Sequence, residues 1–227
     1  MPDYVIPPAD PVSVPVEGGG RFPVRRVYCI GRNYAAHAIE MGHDPDREPP
    51  FFFQKNPDNL DPSGSFPYPP GSSDVHHEVE LVVALGRGGR DIPVAEAPGC
   101  VWGYGVGLDM TRRDLQGEAK KLGRPWEIGK AFERSAPVGP LVPAARSGHP
   151  AAGRITLRVN GELRQEGDLA QMIWKVPEII ACLSEHFELG PGDVILTGTP
   201  AGVGAVVAGD VMEAEIEGIG TLRVTVV

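Results

Sequence analysis

The sequence predicts a β-rich α+β fold, and three observations carry that prediction. Short apolar runs bounded by glycine and proline outnumber the helical patterns. The helical stretches do not alternate regularly with those runs, which argues against a doubly wound sheet. With 30 glycines and 24 prolines beside an ordinary 41% of hydrophobic residues, the chain reads as rich in turns rather than disordered. Its 227 residues suffice for one sizeable core. Residues 1–22, rich in proline and glycine, read as an extended arm, and residues 23–227 as a single domain.

The elements follow in chain order. RVYCI, Arg26 to Ile30, reads as a short strand. GRNYAAHAIEMG reads as a short helix that Asn33 caps and Gly42 stops. A proline-rich loop leads to FFFQK, another strand, and a turn-rich connector leads to HHEVELVVAL, a strand from His76 to Leu85. DIPVAEAPGC reads as a loop with a helical turn. VWGYGVGLDM is a strand whose glycines permit close backbone approach. TRRDLQGEAKKLG is helical. ITLRVNGELRQEG alternates on both sides of Asn160-Gly161, the strongest hairpin signal in the chain. QMIWKVPEIIACLSEHFEL reads as a helix, with Pro177 starting or kinking its main part. The remainder is strands and turns.

Composition excludes several functions. A formal net charge of −9 argues against nucleic-acid binding through a basic face. No apolar run approaches the roughly 20 residues of a membrane helix. The N-terminal stretch lacks a basic segment followed by an apolar core, so no secretory signal is expected. Cys29, Cys100 and Cys182 are odd in number and lack CxxC spacing. They read as reduced thiols of a cytoplasmic protein.

The residues that carry chemistry begin with Glu78 and Glu80. Side chains two apart on a strand share a face, so the two carboxylates sit about 7 Å apart and repel each other. Alone, such a pair reads as the wet face of an edge strand. Asp109, at the end of a glycine-rich strand, changes the balance. Three carboxylates brought together form a hard oxygen site suited to Mg²⁺, with Mn²⁺ or Ca²⁺ possible. His37 and Glu40, three apart on a helix, share a face, and the carboxylate can orient the imidazole as a base for water. The other reading is an exposed helical pair. Arg32 has the fork geometry that suits a carboxylate. Lys130, Gln116 and Thr199 are weaker signals. The LTGTPAGVG loop around Thr199 lacks the GxxxxGK[ST] pattern and is no Walker loop.

Six pieces in this order resemble the fumarylacetoacetate hydrolase family: GRNYAAHAIEM, HHEVELVVALG, GYGVGLDMTRRDLQ, RPWEIGKAFERSAP, VNGELRQEG and LTGTPAGVG. The resemblance runs from about residue 24 to the C-terminus. It implies a mixed β-sandwich roll of that family's C-terminal-domain type, a homodimer and a divalent metal, usually Mg²⁺. It implies metal ligands at Glu78, Glu80 and Asp109, and a lid-helix dyad at His37 and Glu40. Substrate and oxyanion groups fall on Gln116, Lys130 and Thr199, and Arg32 and Asn33 match the start of the lid motif. Within the family the chain is most similar to short bacterial fumarylpyruvate hydrolases and acylpyruvases, which implies hydrolysis of a 2,4-dioxo acid in the gentisate branch of aromatic catabolism. Arg32 or Arg112, with Arg113 behind them, is expected to hold a distal carboxylate. The alternatives are an acylpyruvase or oxaloacetate decarboxylase, a dienoate hydratase or isomerase, and a non-enzymatic metal-stabilised domain that binds a small acid or a protein.

Overall fold

A computed structural model describes residues 4–35 and 49–227. His37 and Glu40 lie outside these residues, so the expected dyad has no described geometry. Two sheets set the architecture. The six-stranded sheet runs, in spatial order, Val142–Pro143, Val101–Leu108, Val79–Leu85, Asp193–Leu196, Arg26–Gly31 and Phe51–Lys55. Its Asp193–Leu196 and Arg26–Gly31 strands are parallel, and their other pairings are antiparallel. The five-stranded sheet runs Glu162–Asp168, Arg154–Val159, Val211–Ile216, Gly220–Val226 and Ser65–Phe66. The β-rich mixed sandwich expected from the sequence is therefore observed.

Alternation along the strands explains the layers. Leu81 and Val83 join Ile155, Leu157, Ala214 and Val224 of the other sheet in one core. Val82 and Ala84, on the opposite face, pack in a second core with Val27, Cys29, Val14 and Phe22. Val14 and Phe22 correct the reading of the arm. Residues 5–11 are exposed, but Ser13–Pro15 and Arg21–Pro23 form an antiparallel hairpin with one buried side chain from each strand. Tight apolar burial, not chain extension, fixes that part.

Asn160 and Gly161 both have positive φ, 51° and 80°, which matches the twist of a two-residue hairpin. Pro177 starts the main helix, as one of its two expected roles, so the helix begins at Val176 and not at Gln171. Asn33 accounts for the difference. Its amide accepts from Trp174 N and donates to Trp174 O, while its own carbonyl accepts from Ile173 N. Those backbone groups are taken before a helix can use them. Residues Arg113–Lys121 form the helix expected there.

The His76–Leu85 run is not one strand. Val75–His77 pairs with Thr111–Arg112 and Gly204–Val206 in a separate three-stranded sheet, whereas Val79–Leu85 lies inside the six-stranded sheet. Glu78 sits at the crossing between the two. Every residue of Val79–Leu85 is buried, so the wet-edge reading of the acidic pair does not hold.

Candidate functional site

Strand register brings the carboxylates together. Glu80 stands opposite Gly107, and Val79 opposite Leu108, so Asp109 follows directly beside Glu78. The Asp109 N–H donates to Glu78 O at 2.8 Å and holds the two ends side by side. The three carboxylates offer oxygens within 4.8 Å of one another. They are 5%, 2% and 1% exposed for Glu78, Glu80 and Asp109.

Such a cluster is costly to bury unless it is compensated. Lys130 Nζ donates to Glu78 Oε2 and Asp109 Oδ2, both at 2.8 Å, and to Thr111 Oγ1 at 2.7 Å. Burial opposes its charge, but Asp109 and Glu78 hold its pKa above the usual lysine range. Arg113 donates to Glu78 Oε1 at 2.5 Å. Lys55 Nζ lies 2.9 Å from Asp109 Oδ1, yet its hydrogen bonds go to Met110 O, Lys130 O and Ser135 Oγ. Asp109 Oδ1 is left buried without a hydrogen bond.

Glu80 is the least compensated member. Gly198 N donates to its Oε2 at 2.7 Å. Burial, then repulsion from Asp109 and Glu78, pushes its pKa well above the carboxylate range despite Lys130 and that N–H. Only glycine suits position 198, where φ is +97° and an added Cβ would stand 2.7 Å from Asn33 Cβ. A hard, buried oxygen set, with one Oδ1 that accepts no hydrogen bond and one disfavoured carboxylate, fits a divalent cation.

The remaining expected residues divide into two groups. Gln116, Thr199, Arg32 and Lys130 line the cavity that contains the carboxylates. Gln116 Oε1 accepts from Arg113 at 2.8 Å, and Thr199 Oγ1 accepts from Gln165 Nε2 at 2.8 Å. Lys130 is the carboxylates' counter-ion, and its donors are engaged by Glu78, Asp109 and Thr111 rather than open to an oxyanion. Asn33 is not among the residues that line the cavity. It is 1% exposed, and its amide N–H groups go to Trp174 O and Thr197 O. It ties two segments together, with both amide N–H groups engaged by backbone carbonyls. Arg112 likewise lies off the cavity lining, with its guanidinium 4.4 Å from the centre of the Phe132 ring. Arg113 is the neighbour that faces the carboxylates.

Gln165 was not singled out from sequence. Its Oε1 accepts from His77 Nδ1 at 2.9 Å and from Val79 N at 3.1 Å, while its Nε2 donates to Thr199 Oγ1 and to Pro200 O. One amide therefore couples the strand crossing at Glu78 to the Thr199 loop. It is the one fully buried side chain on the otherwise open Glu162–Asp168 strand. His77, half of the conspicuous histidine pair, is thus a structural partner, and burial lowers its pKa. His76 instead pairs with Asp74 at 2.8 Å.

Comparisons with known proteins agree with this geometry. A family model described as "Fumarylacetoacetate (FAA) hydrolase C-terminal" matches residues 26–227. A crystal structure of fumarylpyruvate hydrolase from Pseudomonas aeruginosa, in complex with Mn²⁺ and pyruvate, is 55% identical, covers 99% of both chains and superposes with a TM-score of 0.97. A fumarylpyruvate hydrolase of Ralstonia sp is 45% identical over 82% of this chain and 98% of its own. An oxaloacetate tautomerase of Escherichia coli K12 is 43% identical over 87% of this chain and 90% of its own.

Proposed function

The chain belongs to the fumarylacetoacetate hydrolase family, and on that footing we propose that it is a metal-dependent hydrolase of 2,4-dioxo acids that splits fumarylpyruvate into fumarate and pyruvate. The observation that carries the reading is the buried set Glu78, Glu80 and Asp109, with its unbonded Oδ1, inside a cavity that also presents Arg32, Arg113 and Gln116. The similarity to the P. aeruginosa enzyme with Mn²⁺ and pyruvate supports it. A divalent cation held by the three carboxylates, proposed as Mg²⁺ with Mn²⁺ or Ca²⁺ as alternatives, supplies Lewis-acid stabilisation of developing oxygen charge.

The chain's own residues do the rest. Arg113, on the cavity wall between Glu78 and Gln116, favours an anionic head group there. Gln116, its Oε1 held by Arg113, presents its amide N–H groups to the oxygen that becomes negative when water adds to C4. Thr199, oriented by Gln165, is the second polar contact. His37, steadied by Glu40, takes the proton of the attacking water. The C3–C4 bond then breaks, and its electron pair passes into the pyruvate part as an enolate. That enolate takes at C3 the proton that His37 removed from water, while C4 leaves as the new carboxyl group of fumarate, which gives up its own proton to solvent. A homodimer in the cytoplasm belongs to the same proposal. No helix of the described residues is long and apolar enough to cross a membrane.

The similarity to oxaloacetate tautomerases favours a second reading, in which the site interconverts the keto and enol forms of oxaloacetate through its own enolate, or decarboxylates it to the pyruvate enolate. A substrate panel separates the two. Fumarylpyruvate and acetylpyruvate are cleaved under the first reading. Only oxaloacetate is consumed under the second.

A further inference from the structure

The cavity holds groups that this mechanism does not use. Phe53 stands at the carboxylate end, its ring centre 5.2 Å from Lys130 Nζ. It packs 5.8 Å from Trp126 and 6.2 Å from Phe51, and those two rings meet edge to face at 4.9 Å. Each of them carries a cation. The Arg32 guanidinium lies 5.6 Å from the Phe51 ring, and Lys120 Nζ lies 4.7 Å from the Trp126 ring. All five residues line the cavity that contains Glu78, Glu80 and Asp109. An aromatic wall therefore runs from the carboxylates to a second pair of cations.

Lys120 is the unexplained member of that pair. It is half-buried, and its ammonium forms no ion pair with the described residues. Burial, then Arg113 and Arg32, pushes its pKa down to about 8, with Lys130 acting in the same direction and Glu78 opposing. A partly desolvated ammonium in cationic company is poised for an anion that enters the cavity. The flat aromatic surface beside it suits a planar conjugated chain.

We propose that Lys120, together with Arg32, receives the far carboxylate of a dicarboxylic acyl chain, and that Phe51, Phe53 and Trp126 form the wall along which its planar segment lies. Lys120 is thereby a specificity residue that distinguishes dicarboxylic from neutral acylpyruvates. The inference rests on the hydrolase reading.

The test compares wild type, Lys120→Met and Lys120→Arg, each with fumarylpyruvate and with acetylpyruvate at saturating Mn²⁺. One charged hydrogen bond is worth roughly a tenfold to hundredfold change in affinity. Lys120→Met should raise KM for fumarylpyruvate by that factor and shift KM for acetylpyruvate by less than about threefold. Lys120→Arg should recover fumarylpyruvate binding. Equal changes for both substrates, or none for either, would overturn the inference while leaving the hydrolase reading in place. A wild-type protein that cleaves neither substrate would overturn both.

Discussion

At the carboxylate end of the cavity, Glu78, Glu80, Asp109 and Lys130 are at most 5% exposed and stand on or beside packed strands or at the buried end of a helical turn. At the aromatic end, Arg32, Lys120 and Trp126 come from a strand exit and helix ends and remain half-exposed. The first end is held by register and by the hydrogen bonds that Lys130, Arg113 and Gly198 make to the carboxylates. The second is held by ring contacts that tolerate adjustment. Charge geometry that must not move is built into the sheet, at the desolvation cost that burial imposes. Selection among substrates is placed where a side chain can change without disturbing a core.

The largest effect should come from breaking the rigid end. Glu80→Ala should take metal-dependent turnover down by more than the roughly 100-fold that loss of an outer partner costs. Glu80→Gln should do the same while raising the Tm of the metal-free protein, because it removes a disfavoured buried charge. Undiminished turnover with normal metal dependence would remove Glu80 from the site. His37→Ala comes next, with acylpyruvate hydrolysis reduced about 10²–10⁴-fold and oxaloacetate decarboxylation reduced less. Equal losses in the two assays would argue against water activation by His37.

The adjustable end gives a smaller, pH-dependent effect. Lys120 is charged below its pKa of about 8 and neutral above it. KM for fumarylpyruvate should therefore rise up to about tenfold one pH unit above that value. It should stay level for acetylpyruvate and in Lys120→Arg. Parallel pH profiles for both substrates would place the titration elsewhere.

The smallest effect on turnover should come from Gln165→Leu, which acts on the frame that joins the strand crossing at Glu78 to the Thr199 loop. Leaving the buried partners of that amide unsatisfied should cost about 2 kcal/mol, a Tm fall of roughly 4–8 °C. Turnover at low temperature should change only a few-fold. An unchanged Tm would show that the amide does not couple the strand crossing to the Thr199 loop.

The fold class was legible because turns, alternation and the Asn160-Gly161 hairpin are local signals. Glu78, Glu80 and Asp109 were legible as a chemical motive for a cation, and the order of motifs around them supplied the rest. The sheet crossing at Glu78 was not legible, since a continuous apolar run looks the same whether it serves one sheet or two. The backbone ties of Asn33 were not legible, because a residue type that caps helices and binds substrates also joins backbones together. Arg112 and Arg113 are adjacent in sequence but differ in surroundings, which only the packed Phe132 ring and the Glu78 carboxylate decide. Lys120 and Gln165 carry no spacing signal. Their roles arise from neighbours such as Arg32 and His77, 88 residues away in each case.

The central claim, cleavage dependent on a cation held by the three carboxylates, is tested most directly by product analysis with fumarylpyruvate. With Mg²⁺ or Mn²⁺, one fumarate and one pyruvate should form for each substrate consumed. Chelation should stop the reaction, and added metal should restore it. Intact substrate in the presence of metal, or cleavage that persists undiminished after chelation, would contradict the account.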